Sequence, residues 1–233
     1  MARGDAKAKI ALLQDRIITC RLCPRLVEWR ERVAVEKVRR FADCDYWGKP
    51  VPSFGDPQAR ILVLGLAPAA QGGNRTGRIF TGDRSGDWLF RALHKAGFAN
   101  QPTSVDRNDG LRLRDCYVTA AVRCAPPQNK PLPQETANCR PYLLRELELL
   151  DRVRVIVALG RFAFDAAIGS VGLRQKSSRR PQFKHLAEVP LNRGVTLLAS
   201  FHPSQQNTFT GKLTEPMFDL VFDRAKELTS LEI

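Results

Sequence analysis

The feature that most constrains the fold is a set of four short apolar runs, each followed by a loop and a helical pattern. The runs are "RILVLG", "CYVTAAV", "VRVIVALG" and "VTLLAS". Such runs, broken at Gly or Pro, are typical of strands buried on both faces of a parallel sheet. Strands that alternate with helices predict helices on both sides. We therefore predict an α/β fold: one three-layer α/β/α domain over residues 1–233, with a central four-stranded parallel sheet and an N-terminal helical segment at residues 1–40.

Two details of the helices follow from capping rules. Ser85 is the candidate N-cap of the helix after the first strand, and Gly97 lies near the end of that helix. The segment after the second strand is predicted to be helical although it contains Pro141.

Three unusual loops follow the first, second and fourth strands. They read "GLAPAAQGGNRTGRIFTGD", "CAPPQNKP" and "HPSQQN". In parallel α/β sheets, ligands bind at the carboxyl ends of the strands, where such loops meet. The sequence therefore predicts one binding or catalytic site built from all three.

Composition limits the partners. There are 37 Lys and Arg against 24 Asp and Glu, a net charge of +13. This surplus favours nucleic acid or an anionic membrane as partner, although a basic surface can also serve solubility alone. No apolar run approaches the roughly 20 residues needed to cross a bilayer, and the N-terminus does not resemble a secretory signal. We expect a cytosolic protein without membrane contact, in which six cysteines serve metal binding or burial more readily than disulfides.

Four of the six cysteines can form a tetrathiolate site. Cys20 and Cys23 form a C-x2-C pair, and 14 residues separate Cys124 from Cys139. The two pairs meet if the N-terminal segment packs beside the loop after the second strand. Zinc and an iron–sulfur cluster both suit four thiolates, and the wide second pair favours the cluster. A redox-active C-x-x-C remains a further alternative, although that motif normally follows a strand.

The other two cysteines fit neither spacing. Cys44 lies in a Gly- and Pro-rich connection, and Cys116 starts the second strand. We expect both to be buried for structural reasons, because a free cysteine behaves as a small hydrophobe.

Four motifs in this order resemble one known family. "CRLC", "GLAPAAQGGNRTGRIFTGDRSGDWL", "VTAAVRCAPPQNKPLPQE" with a following "NC", and "SFHPS" are similar to the family 5 (type B) uracil-DNA glycosylases of bacteria and archaea. The resemblance runs from about Cys20 to the final helix. The sister family 4 has an acidic residue where this chain has Leu66.

The resemblance implies a function and a cofactor. It implies a monofunctional hydrolase that flips out and excises uracil, and also hypoxanthine and xanthine, from DNA in base excision repair. Its partner would be DNA containing uracil or other deaminated bases, and we expect it to act as a monomer in a bacterial or archaeal cytosol, associated with the nucleoid. A [4Fe–4S] cluster with a structural role would be held by four cysteines, Cys20, Cys23, Cys124 and Cys139.

Cleavage of the N-glycosidic bond defines the catalytic groups required. Negative charge develops on the departing base, so donors to the base and a group that positions or activates water promote the reaction. His202 ends the fourth strand and is the candidate donor to a uracil carbonyl, or else a core histidine. Asn74 and Asp83 are candidates for handling water, and Asp83 could instead cap a helix. Asn129 could read the base edge or hold water, or simply occupy a turn.

Two further groups of residues are expected to bind the substrate. Gly65, Ala67 and Pro68 would let the backbone approach the base, and Phe80 would stack on it unless it is only a core residue. The basic loop "LRQKSSRRPQFKH" suits phosphates, unless it is only solvated. Gln205, Gln206 and Asn207 could fill the space that the flipped base leaves. The predicted DNA contacts of the basic loop are Arg174, Lys176, Arg179 and Arg180.

Two other function classes compete with the glycosylase. The missing carboxylate at Leu66 allows a non-catalytic iron–sulfur DNA-binding protein, which would not excise uracil from an oligonucleotide. A covalent uracil-DNA binder of a sister group would need an extra histidine-bearing loop, and "QGGNRTGRIF" contains no histidine.

Overall fold

A computed structural model of the chain describes residues 3–169 and 181–230. Within these residues, six strands form a single sheet in the order β1-β3-β2-β4-β6-β5. Their bounds are β1 (Phe54–Gly55), β2 (Ile61–Gly65), β3 (Cys116–Ala120), β4 (Val155–Leu159), β5 (Glu188–Pro190) and β6 (Thr196–Ser200).

The four inner strands are parallel and begin at the same level. Ile61 pairs with both Cys116 and Val155, and Val155 pairs with Thr196. Since all four strands have five residues, their carboxyl ends also lie level. This arrangement confirms the four predicted parallel strands and brings the three unusual loops to one edge. The predicted strand number was too low, because the short strands β1 and β5 add an antiparallel strand at each edge of the sheet.

The described residues contain eight α-helices. They are α1 (Arg3–Ile18), α2 (Pro24–Glu36), α3 (Gly73–Thr76), α4 (Arg84–Lys95), α5 (Pro133–Leu149), α6 (Arg161–Ile168), α7 (Gln205–Phe209) and α8 (Glu215–Ser230).

Apolar cores lie on both faces of the sheet. Val63 of β2 faces Phe90 of α4 and Phe222 of α8 in one core, whereas Leu62 faces the opposite core with Ile17 of α1 and Phe164 of α6. The alternation follows from the two-residue period of a strand. The three-layer α/β/α architecture is therefore confirmed.

The structure corrects one predicted cap. Helix α4 begins at Arg84, and Asp83 is its N-cap, because Asp83 Oδ1 accepts a hydrogen bond from the Gly86 N–H at 3.0 Å. The prediction of Ser85 was wrong because both residue types cap helices well and the local sequence does not fix the register. Gly97 follows the helix with a φ of 86°, and α5 continues through Pro141, as predicted.

The two cysteines outside the tetrathiolate pattern differ in burial. Cys116 is completely buried in β3, where burial raises the pKa of its thiol. Cys44 is partly exposed, so the prediction that it is buried was wrong.

Within residues 3–169 and 181–230, none of the helices combines the length and apolar content needed to span a bilayer.

Candidate functional site

A cavity of about 530 Å³ opens at the carboxyl edge of the sheet. The three loops singled out from the sequence form its walls, together with the first turns of α4 and α7. The described residues that line it are Leu66, Ala67, Ala69, Phe80, Asp83, Arg84, Ser85, Asn129, His202, Ser204, Gln205 and Gln206.

His202 lies directly after β6, and its backbone is fixed from two sides. Its carbonyl oxygen accepts hydrogen bonds from Asn207 Nδ2 and from the Ser204 N–H, both at 2.8 Å. Burial lowers the pKa of the imidazole to about 4, so the ring is neutral at physiological pH. Its nitrogens make no hydrogen bond to any other described residue, and a neutral imidazole carries one N–H that can donate to a ligand.

A second histidine supports this strand end from behind. His185 Nδ1 accepts a hydrogen bond from the Phe201 N–H at 3.2 Å, and its Nε2 lies 3.2 Å from the Met217 carbonyl oxygen. The proton is therefore on Nε2, and burial lowers the pKa of this ring as well. His185 positions the residue that precedes His202, and it does not line the cavity.

Phe80 forms a flat wall of the cavity. Its ring lies on the backbone of Gly65, where a Cβ would come within 2.6 Å of the ring. Its ring centroid lies 6.1 Å from that of His202, with 32° between the planes. The residue has a φ of 53°, an uncommon left-handed conformation for a bulky side chain. Gly65 therefore contributes to the cavity indirectly, because the absence of a side chain at this position leaves room for the Phe80 ring.

Asp83 contributes the carboxyl group of the cavity wall. Its Oδ1 caps α4, and its Oδ2 lies against Gly72, where a Cβ would approach it to 2.1 Å. Burial raises the pKa of this carboxyl, and the negative charge of Asp87 raises it further. The sequence left open whether Asp83 caps a helix or lines the site. The Asp83 side chain does both.

The other polar predictions at the cavity lie on its rim. Asn129 is exposed at the end of a short 3-10 turn, with a φ of 56°. Gln205 and Gln206 are exposed on the first turn of α7 and line the cavity. Asn207 turns back to hold His202, so it does not point out with them.

Asn74 and Pro68 are not brought to the cavity. Asn74 is completely buried in α3, and its Nδ2 donates to the Arg30 carbonyl oxygen at 3.2 Å. Pro68 packs against Gly73 instead. Their predicted roles in catalysis and base binding stay predictions, and neither residue contributes to the cavity wall.

Arg84 is a cavity residue that was not identified from the sequence. It is exposed, and its guanidinium lies 4.4 Å from the ring centroid of Phe209, itself 68% exposed. The two form a cationic and aromatic rim on one side of the opening. The sequence offered one indication of this role, because Arg84 directly follows the candidate residue Asp83.

Four of the predicted DNA contacts, Arg174, Lys176, Arg179 and Arg180, lie outside the described residues.

The four singled-out cysteines line one small cavity. Cys23 comes from the start of α2, Cys124 from the loop after β3, Cys139 from α5, and Cys20 from the turn before α2. Burial raises the pKa of the Cys124 thiol to about 12 and that of Cys139 to about 11. Over the described residues, no three His, Cys, Asp or Glu side chains converge on a single metal-ion position. The cluster stays a prediction, for which the shared cavity is the relevant geometry.

Comparison with known proteins places the chain in a family. The family model described as the uracil DNA glycosylase superfamily matches residues 52–226. A type-5 uracil-DNA glycosylase of Mycobacterium bovis is 54% identical over 224 residues, which cover 96% of this chain and 83% of the relative. The type-5 enzyme of Thermus thermophilus is 54% identical over 215 residues (92% and 96%), and that of Pyrobaculum aerophilum 47% over 211 residues (91% and 89%). The chain belongs to the uracil-DNA glycosylase superfamily, and within it to the type-5 enzymes.

Proposed function

We propose that the chain excises uracil from DNA by hydrolysing the bond between the base and the deoxyribose, as a step of base excision repair. The observation that carries the proposal is the cavity that unites Phe80, Asp83 and His202 in a type-5 chain. An aromatic wall, a carboxyl group and a neutral imidazole donor match the three needs of glycosidic cleavage.

Phe80 and His202 bind the base in this proposal. A nucleotide must leave the base stack before its glycosidic bond can be reached, and the cavity replaces the lost stacking with the Phe80 ring. The neutral His202 N–H donates to a carbonyl oxygen of uracil. Because negative charge grows on that oxygen as the bond breaks, the hydrogen bond strengthens in the transition state.

Asp83 handles the water. Its raised pKa makes the carboxylate a better base than an exposed aspartate. Asn129, which also lines the cavity, is the amide that can hold the same water or the edge of the base. Leu66 stands where sister enzymes have an acidic residue, so Asp83 takes over the carboxylate function.

The reaction ends at the abasic site. A lyase step requires an amine nucleophile, and none of the described residues that line the cavity is a lysine. We therefore propose a monofunctional enzyme.

We propose that hypoxanthine and xanthine are also excised. Leu66, Ala67 and Ala69 line part of the cavity with small or apolar groups, which make few directional contacts with a base. Such a wall discriminates weakly between bases, because rejection of a wrong base relies on polar groups that it leaves unpaired.

We propose a [4Fe–4S] cluster bound by Cys20, Cys23, Cys124 and Cys139. In support, the four thiols line one cavity, and two N–H donors point at its sulfurs: Arg30 Nη1 at 2.9 Å from Cys124 Sγ, and Asn138 Nδ2 at 3.4 Å from Cys23 Sγ. When bound, the cluster would supply a cross-link between α2, α5 and the loop after β3. The residues fit this group, and the proposed role is structural.

Product analysis tests the proposed reaction. A duplex with one uracil opposite guanine is incubated with excess protein, the free base is identified by mass spectrometry, and strands are examined with and without alkali. We expect free uracil and strand breakage only after alkali. Breakage without alkali would contradict the monofunctional assignment, and the absence of free uracil would contradict the function.

The non-catalytic alternative is tested by the same assay. Binding of the duplex without release of uracil would favour that alternative, whose basis is Leu66 in place of an acidic residue. A parallel duplex with hypoxanthine opposite thymine tests the broader range, and we expect release of that base as well.

A further inference from the structure

Arg30 is a buried cation without a matched buried anion. Its side chain is 2% exposed in the middle of α2. Among the described residues, the carboxylate within 4 Å is that of Glu31, whose Oε1 lies 3.8 Å from Arg30 Nη2. Glu31 is 43% exposed and already binds Arg21 through both of its oxygens. A buried guanidinium needs negative charge nearby, since leaving water without compensation is costly.

The guanidinium points into the cysteine cavity. Arg30 Nη1 donates to Cys124 Sγ at 2.9 Å, and Nη2 donates to the Cys20 carbonyl oxygen at 3.2 Å. The Nε is buried without a hydrogen-bond partner. The two hydrogen bonds of the Arg30 guanidinium thus both go to cysteines of the four-cysteine site.

Arg123, the other buried arginine at this cavity, shows the contrast. It forms an ion pair with Glu146, which is 1% exposed, and it also donates to Ser53. Of the two arginines that line this cavity in the described residues, Arg123 thus has a buried carboxylate partner and Arg30 does not.

The main chain of Arg30 leads to the catalytic loop. Its carbonyl oxygen accepts from Asn74 Nδ2 at 3.2 Å, and Asn74 lies in α3 beside Arg75. Arg75 Nη2 in turn donates to the Gly82 carbonyl oxygen at 3.0 Å, directly before Asp83. These bonds link the cysteine cavity to Gly82, the residue before Asp83.

We infer that Arg30 is the internal counter-ion of the thiolate-bound cluster and the positioning residue that links the cluster to the catalytic loop. This inference rests on the proposed cluster. The cluster and its four thiolates carry net negative charge, and the buried guanidinium neutralises part of it. The Asn74 bond then makes the position of α3 depend on a residue that the cluster holds in place.

Three variants separate the two tasks of Arg30. Arg30→Met removes the charge at similar volume, Arg30→Lys keeps the charge but loses the forked donors, and Asn74→Ala cuts only the link to α3. Arg32→Met is the matched control, because Arg32 lies on the same helix with its side chain 46% exposed. All are purified anaerobically with the cluster bound.

The readouts are cluster chemistry and backbone exchange, not excision alone. We expect Arg30→Met to release iron to a chelator roughly tenfold faster or more, the scale of outer-shell effects at metal sites. Its cluster potential should become more negative, because the lost cation stabilised the reduced form, and Arg30→Lys should restore most of that shift. Asn74→Ala should keep the cluster and its potential but increase hydrogen exchange in residues 72–76.

Different failures have different meanings. Wild-type protein that carries no iron and sulfide would overturn both the cluster and this inference, while leaving uracil excision to its own assay. A cluster whose release rate and potential in Arg30→Met match those in Arg32→Met would overturn the inference alone. Unchanged exchange in Asn74→Ala would overturn the link to the catalytic loop.

Discussion

At the scale of single residues, Asp83 combines a structural task with a chemical one. One oxygen caps α4, and the other faces Gly72 at the cavity wall. Asparagine caps helices as well as aspartate does, so Asp83→Asn separates the two tasks. The fold of α4 is kept, while the carboxylate is lost.

We predict that Asp83→Asn lowers the single-turnover excision rate by roughly 10²- to 10⁴-fold, the usual contribution of a general base. The pKa of Asp83 is raised, so the wild-type rate should fall on the acid side at a pH above the ordinary aspartate value, as the carboxyl takes up its proton. The pKa of His202 is about 4, so its own protonation affects only the acid end of the range. Rates measured from pH 4.5 to 8 check this: the variant should lack the acid limb. A limb that persists in Asp83→Asn would assign the titration elsewhere. Asp87→Asn should keep the limb but move it to lower pH, because the negative charge of Asp87 raises the pKa of Asp83.

Gly72 is predicted to affect the excision rate more than stability. An added Cβ would meet Asp83 Oδ2 at 2.1 Å and push the carboxylate aside. A displacement of about 1 Å at a catalytic group costs about 10²-fold in rate. We expect Gly72→Ala to slow single-turnover excision on that scale and to lower the free energy of unfolding by about 1 kcal/mol, because the same carboxyl caps α4. A normal rate would show that Asp83 tolerates the shift and would weaken its assignment.

At the scale of elements, a buried polar network joins α5 to the sheet beside the cysteine cavity. Glu146 of α5 accepts hydrogen bonds from Arg123 and Ser53, and from Thr119 Oγ1 of β3 at 2.7 Å. The network is fully enclosed, so its members depend on one another.

Removal of Glu146 should therefore be costly. We predict that Glu146→Ala lowers the free energy of unfolding by about 3–5 kcal/mol, because it leaves the Arg123 charge buried and unpaired. Urea titration of the cluster-bound protein measures the change. The exposed pair of Arg145 and Glu148 on the same helix provides the control, and Glu148→Ala should change stability by about 0.5 kcal/mol or less. Equal effects of the two substitutions would contradict the assigned role of burial.

The elements also show what the sequence could predict. The inner strands were predictable because each is a continuous apolar run, as in Ile61–Gly65. The edge strands were not predictable, because Phe54–Gly55 has only two residues and Glu188–Pro190 ends in Pro. Each forms a strand only through its pairing with the adjacent strand of the sheet. Asn74 was assigned to water on its position in the loop. Its actual contact is with Arg30, 44 positions away in the sequence, which no local pattern reveals.

At the scale of the whole molecule, topology explains why candidate site residues from distant parts of the sequence meet. Level parallel strands bring Phe80, Asn129 and His202 to one cavity although more than 120 positions separate the first from the last. The packing of α2 against the loop after β3 likewise brings distant cysteines to one cavity. Side-chain direction, as for Asn207 and Pro68, depends on packing and could not be read from the sequence.

The net charge of +13 is also a property of the whole molecule. We predict that replacing Arg179 and Arg180 with Gln flattens the slope of log affinity for DNA against log salt by roughly one to two units, because each phosphate contact releases counterions. Fluorescence anisotropy with a labelled duplex measures the slope. Arg152→Gln with Arg193→Gln is the control, since both residues are exposed before strands, at the edge opposite the cavity. The same change in both double variants would indicate a general charge effect without a specific contact.

The most direct test of the proposed site is a crystal structure of the slow Asp83→Asn variant bound to a duplex that holds one uracil opposite guanine. We predict that the uracil is flipped into the cavity, with its face on Phe80 and a carbonyl oxygen within hydrogen-bond distance of the His202 ring. A uracil that remains stacked in the duplex, or that binds away from Phe80 and His202, would contradict the proposed site.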